Sequence, residues 1–271
     1  MFEDLKLLAA LSLTDSSIRV DDFLSLQAPS RKLEFASPRK IQEAREVVKW
    51  CADNDAAIIF PGHDDYPEAF FRVDPPPLFL SVQGAACWKS QRCLAVVGSR
   101  EPSFFALNWL ELHLPEILRS GIITVSGGAR GIDQKAHHLS IRAKSPTAVF
   151  LPSGLASAYP TEWKIWKTEL FASGGALVSP YSPFQEIRRT HFEGRNRLIA
   201  ALASVVFIVE ARRKSGSIMT ARLATELDKS VCVLPNTPGD PRWAGTVDLL
   251  FENRFPIRDA KDLVSLLDLS R

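Results

Sequence analysis

From Ile58 onward, short runs of continuous apolar residues alternate with longer amphipathic segments. Strands covered on both faces are apolar throughout, and strands that alternate with helices form parallel sheets. The pattern predicts an α/β fold with a doubly wound, mostly parallel sheet. We expect strands at Leu78–Val82, Leu94–Val97, Ile122–Ser126, Ala148–Leu151, Ala176–Ser179, Val205–Glu210 and Val231–Leu234, and helices at Phe104–Arg119, Ile132–Ala143, Glu162–Ser173, Arg195–Ala203 and Ser217–Leu227.

The first 55 residues predict a small helical appendage to this sheet. Phe2, Leu5 and Leu8 follow the i, i+3 spacing of one helix face. The segment 28–38 contains two prolines and several charges and predicts a linker. We therefore divide the chain into a helical N-terminal region, 1–55, a sheet domain, 56–258, and a C-terminal helix, 259–271.

The overall composition gives little sign of a charged partner. The chain has 33 Lys and Arg against 31 Asp and Glu, so a polyanion would have to bind at a local patch. The four cysteines lack Cys-x-x-Cys spacing, which favours free buried thiols and predicts no metal site. The N-terminus is acidic and no apolar run approaches the ~20 residues of a membrane span, so we expect a cytoplasmic protein with no membrane contact.

Two loops after predicted strands have the composition of an anion site. Ligands bind beyond the carboxyl ends of strands in doubly wound sheets. Gly98, Ser99 and Arg100 follow one strand, and a loop with glycines at 127, 128 and 131 connects another strand to a helix. Such a loop can cradle phosphate with its backbone amides, although tight turns with a packing role remain the alternative. Its spacing is neither the Walker nor the dinucleotide pattern.

Two further segments carry positive charge. Between Gln185 and Lys214, seven Lys and Arg against three Glu leave a local charge of +4. Cations around Phe192 are typical of a track for single-stranded nucleic acid, and a solvated basic loop with a core phenylalanine is the alternative. After the strand 205–210, Ser215 and Gly216 could present amides to an anion, or Ser217 could simply cap a helix.

No arrangement of side chains in the sequence predicts catalysis. No Ser/His/Asp order or carboxylate pair has suitable spacing. We expect Asp133 to serve as a capping or dipole partner at the helix start. We expect Glu210 to face the same rim as Arg195 and to form an ion pair there rather than to act in catalysis.

Taken together and in this order, the loops resemble the DNA-processing protein A (DprA/Smf) family over roughly residues 55–255. The matching segments are Val97-Gly98-Ser99-Arg100, Ser126-Gly127-Gly128-Ala129-Arg130-Gly131-Ile132-Asp133, Tyr159-Pro160, Phe192 with Arg195-Asn196-Arg197, and Val209-Glu210-Ala211 with Lys214-Ser215-Gly216-Ser217.

The resemblance implies an extended Rossmann-like domain that binds single-stranded DNA, has no enzymatic activity and uses no cofactor. Members of the family load the recombinase RecA onto incoming strands during natural transformation and commonly act as homodimers. By resemblance, Arg100, Gly127, Gly128, Arg189, Phe192, Arg195 and Asn196 line the DNA pocket, and the loop chemistry adds Gly98, Ser99, Arg130, Lys214 and Ser215.

The sequence departs from the family pattern at Glu193, where proline is usual. We expect this carboxylate to repel phosphate within the track. We also expect no winged-helix extension after the C-terminal helix. The alternative function is a nucleotide-binding Rossmann protein. It would be either a nucleoside-monophosphate phosphoribohydrolase-like enzyme, whose Pro-Gly-Gly-x-Gly-Thr motif is missing here, or a sensor of a small nucleotide.

Overall fold

A nine-stranded sheet forms the centre of the fold. The computed structural model describes residues 2–25, 28–89, 92–236 and 239–270. Within these residues the strands are β1 (Ala56–Ile59), β2 (Leu80–Gly84), β3 (Cys93–Val97), β4 (Ile123–Ser126), β5 (Thr147–Phe150), β6 (Ala176–Ser179), β7 (Val205–Ile208), β8 (Ser230–Val233) and β9 (Phe255–Pro256).

Eleven α helices are present within the same described ranges. They are α1 (Phe2–Ser12), α2 (Asp21–Leu24), α3 (Ala28–Phe35), α4 (Pro38–Asp53), α5 (Phe104–Arg119), α6 (Ile132–Arg142), α7 (Trp163–Ala172), α8 (Arg189–Leu202), α9 (Gly216–Glu226), α10 (Ala244–Phe251) and α11 (Ala260–Leu269). A short 3-10 helix covers Glu68–Arg72.

The strand order is β1-β2-β6-β5-β4-β3-β7-β8-β9. All neighbouring strands from β6 to β9 run parallel, while β1 and β2 are antiparallel at one edge. This arrangement confirms the predicted α/β class. It also places β4, β3 and β7 side by side, so the loops that follow these three strands meet at one edge of the sheet.

Helices cover both faces of the sheet, as the continuous apolar strands predict. In β3, Leu94 and Val96 pack with residues of α5, α6 and α11. Ala95 and Val97 point to the other face and join a cluster with α8 and α9. Every residue of β3 is buried, which explains why the strand has no polar alternation.

The N-terminal helices pack against the antiparallel edge of the sheet. Leu8, Leu11 and Val47 share a buried cluster with Ile58 and Phe60 at and just beyond β1. The predicted linker over 28–38 is wrong because α3 occupies most of it. The two prolines stand in the first turns of α3 and α4, where a missing N–H breaks no helical hydrogen bond.

Three further differences concern element boundaries. Helix α8 begins at Arg189 rather than at Arg195, so the predicted basic loop is largely helical. The short strands β1 and β9 and the helix α10 were not predicted. None of the four cysteines, all of which lie within the described residues, forms a disulfide, and burial raises the pKa of the Cys51, Cys87 and Cys93 thiols to about 12.

Two properties concern the described residues as a whole. No helix among them is both long and apolar enough to span a bilayer. Within the same residues no group of three or more His, Cys, Asp or Glu side chains could hold a metal ion.

Candidate nucleic-acid interface

A groove opens at the carboxyl edge of β4, β3 and β7 and consists of two chambers. We call the first, of about 360 Å³, the α9 chamber; residues found only there include Gly98, Arg212, Lys214, Ser215, Gly216 and Thr220. The second, of about 470 Å³, is the α7 chamber; its own residues include Gly127, Arg130, Pro152, Tyr159, Pro160 and Glu162. Both chambers are also lined by Arg100, Glu101, Ala129, Phe192 and Arg195.

Phe192 lies between the two chambers, and two arginine guanidinium groups lie over its ring. The guanidinium carbon of Arg100 is 5.3 Å from the ring centroid and that of Arg195 is 5.9 Å away. Both distances lie within the range of cation–π attraction. Phe192 is half-buried and lines the groove, so its ring is not part of the core behind α8.

Arg195 is the buried anchor of this arrangement. Only 4% of the residue is exposed, and its Nη1 donates a hydrogen bond to the Phe150 carbonyl at 3.2 Å. Burial lowers the pKa of the guanidinium to about 10, and the nearby Asp133 carboxylate opposes that shift. Its Nε has no hydrogen-bond partner among the described residues, although the side chain lines both chambers.

The first glycine of the 127–131 loop makes room for this guanidinium. A Cβ on Gly127 would lie 1.2 Å from Arg195 Nη1, so a larger residue would displace the buried side chain. The glycine loop and α8 are therefore fitted to each other across the carboxyl edge of β4. This contact gives the Gly127 position a physical reason that involves no ligand.

Asp133 is enclosed beneath the same loop. Burial raises the pKa of its carboxyl group, while Arg195, the Ala129 and Gly127 backbone amides and the Ser126 hydroxyl oppose the rise. Part of the predicted phosphate cradle thus faces a carboxylate of the protein itself. The N-cap of α6 is Gly131, so the capping role predicted for Asp133 is wrong, while its place in the first turn of α6 fits the role of dipole partner.

Two other glycines shape the loop from outside the chambers. Gly128 has a φ of 66°, and a Cβ there would lie 2.4 Å from Trp163 Nε1, whose N–H donates to the Gly128 carbonyl at 3.0 Å. Gly131 has a φ of 86°, and a Cβ there would lie 2.3 Å from the Ser99 carbonyl oxygen. The loop is held by α7 on one side and by the loop after β3 on the other.

The start of α9 forms the wall of its chamber. Ser215 is the N-cap and its Oγ accepts the Ile218 N–H, whereas Ser217 Oγ donates to the Gly98 carbonyl at 2.9 Å. The prediction that Ser217 caps this helix is therefore wrong by two positions. Ser217 instead ties α9 to the loop after β3, which fixes the width of the chamber.

The cations near α9 fall into two groups. Arg213 forms an ion pair with Asp248, with Nε 2.7 Å from Oδ2. Arg212 and Lys214 line the α9 chamber instead, and within the described ranges neither makes an ion pair shorter than 4 Å. The two unpaired charges therefore remain available to an anion in the groove.

The groove brings together most of the residues that the sequence predicts for a DNA site. Ten of them line one or both chambers: Gly98, Ser99, Arg100, Gly127, Arg130, Phe192, Arg195, Asn196, Lys214 and Ser215. Gly128 lies outside the chambers against Trp163, and Arg189 lies exposed at the first residue of α8, also outside them. In the α7 chamber, Arg130 pairs with Glu162 at 3.2 Å.

Two carboxylates lie elsewhere than the sequence predicts. Glu193 faces away from the groove into a separate cavity, and its nearest cation is Arg197 at 3.9 Å. The structure therefore places this carboxylate outside both chambers, and its expected repulsion of phosphate stays a prediction. Glu210 makes no ion pair with Arg195, because its Oε2 accepts the Ser103 N–H at 3.0 Å at the start of α5.

Among the lining residues missing from the predicted site are Glu101, Arg212, Tyr159 and Glu162. Glu101 and Arg212 adjoin motif residues, so their position next to Arg100 and near Lys214 was the available signal. Tyr159 belongs to the Tyr159-Pro160 segment that matches the family, which was the available signal for it, whereas Glu162 follows in a stretch with no cluster of cations.

The sequence profile described as DNA recombination-mediator protein A matches residues 57–268. Protein Smf of Escherichia coli (strain K12) is 30% identical over 244 residues, which are 90% of this chain and 64% of that protein. The DNA processing protein DprA of Bacillus subtilis (strain 168) is 32% identical over 199 residues, 73% of this chain and 67% of the relative. The chain thus spans less than two thirds of the E. coli protein.

Two solved structures share the fold. DNA processing protein A of Helicobacter pylori is 28% identical, with a TM-score of 0.70 over 79% of this chain and 96% of that one. The Streptococcus pneumoniae protein, at 23% identity, has a TM-score of 0.73 over 96% of this chain and 91% of that one, which shows the fold alone. The profile match covers most of the chain, and the chain belongs to the DNA recombination-mediator protein A family.

Proposed function

We propose that this chain binds single-stranded DNA in the groove formed by the α9 and α7 chambers. The observation that carries the proposal is the set of cations around one chamber: Arg100, Arg195, Arg212 and Lys214 all line the α9 chamber beside the N-terminus of α9. Cations and a helix N-terminus both favour phosphate. Neutralising phosphates releases counterions and supplies most of the affinity for a nucleic-acid backbone.

The relatives support the same ligand. The H. pylori structure describes a single-stranded DNA binding mode of that protein. The B. subtilis and S. pneumoniae relatives are named DNA processing proteins. The groove described above lies within the segment that the family profile matches.

An unpaired strand fits the groove better than a duplex for a geometric reason. Phe192 lies between two chambers, so its ring can be reached only by a base that is not held in a pair. Stacking on an aromatic ring contributes about 1–3 kcal/mol per base. A duplex offers the same phosphates to the cations but keeps its base faces stacked inside the helix.

The cellular role follows from this binding. In our proposal the chain acts as a recombination mediator that delivers bound strands to RecA in natural transformation, works as a homodimer in the cytoplasm and catalyses no reaction. Phe251 and Phe255, which are 82% and 56% exposed near the end of the domain, are candidates for the dimer contact.

The binding test is a fluorescence-anisotropy titration with an oligothymidine and a matched duplex at two salt concentrations. We expect tighter binding of the single strand, with log K falling by about 0.7 for each phosphate contacted as log salt rises. Equal affinity for the duplex would contradict the stacking argument. Competition by a mononucleotide at low concentration would favour the sensor alternative, and release of free base from it would favour the enzyme.

The role in recombination is tested separately. RecA filament formation on a strand coated with single-strand binding protein should accelerate when the chain is added. Light scattering of the purified chain, with and without Phe251→Asp, measures the dimer. No acceleration, or a monomer at all concentrations, would contradict the corresponding part of the proposal.

A further inference from the structure

The two chambers of the groove differ in the charges that belong to each alone. Arg212 and Lys214 belong to the α9 chamber and make no ion pair within the described residues, the buried Asp133 is the one carboxylate that lines this chamber alone, and the amino end of α9 adds its dipole. In the α7 chamber the corresponding charges are Arg130 and Glu162, which pair with each other at 3.2 Å. The α9 chamber therefore attracts an anion, while the α7 chamber is close to neutral.

The α7 chamber is also lined by an aromatic side chain, that of Tyr159, which is partly exposed. Tyr159 is 42% exposed, and among the described residues no other ring stacks against it. Its backbone N–H donates to Ser153 Oγ at 3.0 Å, which holds the residue at the chamber wall. Pro152 and Pro160 complete the apolar part of that wall.

We propose that the α7 chamber is a nucleobase site with Tyr159 as its stacking platform, while the α9 chamber holds the adjoining phosphates. This inference rests on the proposed binding of single-stranded DNA and divides the groove into two tasks. A base has an uncharged π-face and gains from stacking, whereas a phosphate in the α7 chamber would meet the carboxylate of Glu162, which does not line the α9 chamber. Phe192, between the chambers, separates the base from the phosphate site.

The α7 chamber is shaped before any ligand binds. The indole N–H of Trp163 bonds the Gly128 carbonyl, so the first turn of α7 is fixed to the glycine loop. The ion pair between Arg130 and Glu162 spans the same two elements. A preformed wall lowers the entropic cost of binding, which lets a single stacked base contribute measurably to affinity.

The test compares Tyr159→Ala, Tyr159→Phe and Phe104→Ala. Phe104 is 83% exposed at the start of α5 and lines neither chamber, so its truncation is the matched control. Each protein is titrated with oligothymidines of about 4 to about 16 nucleotides, the range of site sizes for single-strand binders. We expect Tyr159→Ala to weaken binding about 5- to 100-fold, for oligomers long enough to reach both chambers. Tyr159→Phe and Phe104→Ala should bind like the unaltered chain.

A scan of single abasic positions then locates the base. In the shortest oligomer that reaches full affinity, we expect the unaltered chain to show one abasic position whose effect disappears in Tyr159→Ala. Its persistence in Tyr159→Ala, or equal binding by Tyr159→Ala and Phe104→Ala at every length, would overturn the inference. Failure of the unaltered chain to bind any oligothymidine would instead overturn the proposed function, so the two failures are distinct.

Discussion

The two faces of α8 carry similar residues but meet different surroundings. Phe192, Arg195 and Asn196 face the groove, at the i, i+3, i+4 spacing of one helix face. Glu193 and Arg197 face a separate cavity beside Asp74, where Arg197 Nη1 donates to the Asp74 carbonyl at 3.1 Å. Arg195 and Arg197 are only two positions apart in the chain, yet of these two arginines only Arg195 lines the groove.

The comparison shows that the partners of a cation, more than its place in a basic segment, determine whether it can bind DNA. Arg197 is committed to a backbone carbonyl and to Glu193. Arg195 also donates to a backbone carbonyl, that of Phe150, but it lines both chambers and its Nε has no hydrogen-bond partner in the described part of the chain. A groove-facing cation with unused donors can exchange them for phosphate contacts, while a committed one would first have to break its own bonds.

The sharpest contrast should come from Arg195→Ala and Arg197→Ala. We expect Arg195→Ala to lose about 2–4 kcal/mol of binding free energy, roughly 30- to 1000-fold in Kd, because it removes a buried charge from both chambers. Arg197→Ala should bind oligothymidine within about 2-fold of the unaltered chain. Anisotropy titration measures both affinities.

Thermal unfolding is the control for this pair. Removing Arg195 leaves the Phe150 carbonyl without this donor, at an expected cost of about 1–3 kcal/mol in folding free energy. If the alanine variant does not fold, Arg195→Lys keeps the charge but loses the planar guanidinium, and it should still bind more weakly than Arg197→Ala. Equal DNA affinities of the Arg195 variant and of Arg197→Ala would contradict the difference drawn between the two faces of α8.

The glycines beside the same helix give the next largest effect. In Gly127→Ala the new methyl group would overlap Arg195 Nη1, so the guanidinium must leave its place. We expect about a 10-fold loss of affinity, equivalent to about 1.4 kcal/mol. Gly194→Ala is the counterpart on the other face of α8, where the Cβ would lie 3.0 Å from the Tyr181 hydroxyl.

Gly194→Ala should leave DNA affinity unchanged, because Gly194 lines neither chamber. Alanine also has the higher helix propensity, which opposes any crowding by Tyr181. A loss of affinity in Gly194→Ala as large as in Gly127→Ala would mean that the groove responds to any disturbance of α8. That result would remove the assignment of Gly127 as the residue that makes room for Arg195.

These contrasts also show where prediction from sequence succeeded and where it failed. The boundaries of β3 and β4 were predicted to within one residue, since both strands are fully buried and β3 is apolar throughout, while β4 combines β-branched residues with a final serine. Strand β1 was missed because Ala56 and Ala57 lack the branched side chains that mark a strand. The first turns of α8 were missed because they hold charges and a glycine, and their burial begins only at Arg195.

Prediction of the site from the sequence also succeeded for local features and failed for contacts between distant segments. The glycine loop and the cations were predicted from local composition and from the order of the motifs. The spacing of the loop could not reveal that Gly127 accommodates Arg195 while Gly128 packs against Trp163, because both contacts join segments distant in the chain. The orientation of Glu193 depended on where α8 begins, and a helix predicted from Arg195 onward could not assign it to a face.

A smaller effect separates free from paired cations near α9. Lys214→Ala should weaken binding to all sequences about 3- to 10-fold and reduce the slope of log K against log salt by about 0.7, the value for one phosphate on a single strand. Arg213→Ala removes the same charge, but Arg213 is paired with Asp248 outside the chambers. Its affinity and salt slope should match those of the unaltered chain.

The slope is the decisive quantity in this comparison, because any loss of positive charge lowers affinity slightly through the long-range field. A reduced slope in Arg213→Ala equal to that in Lys214→Ala would show that only total charge matters. In that case the ion pair with Asp248 would not keep Arg213 away from DNA, and the distinction between committed and free cations would fail.

The smallest effect is expected for Glu193→Gln. The carboxylate lies on the face of α8 opposite the groove and is 3.9 Å from Arg197, so removing its charge changes little in either chamber. We expect affinity for oligothymidine within about 2-fold of the unaltered chain at moderate salt, since Glu193 lines neither chamber and salt screens the field of an exposed charge. A large gain in affinity would mean that Glu193 does repel the strand, and that bound DNA passes over both faces of α8.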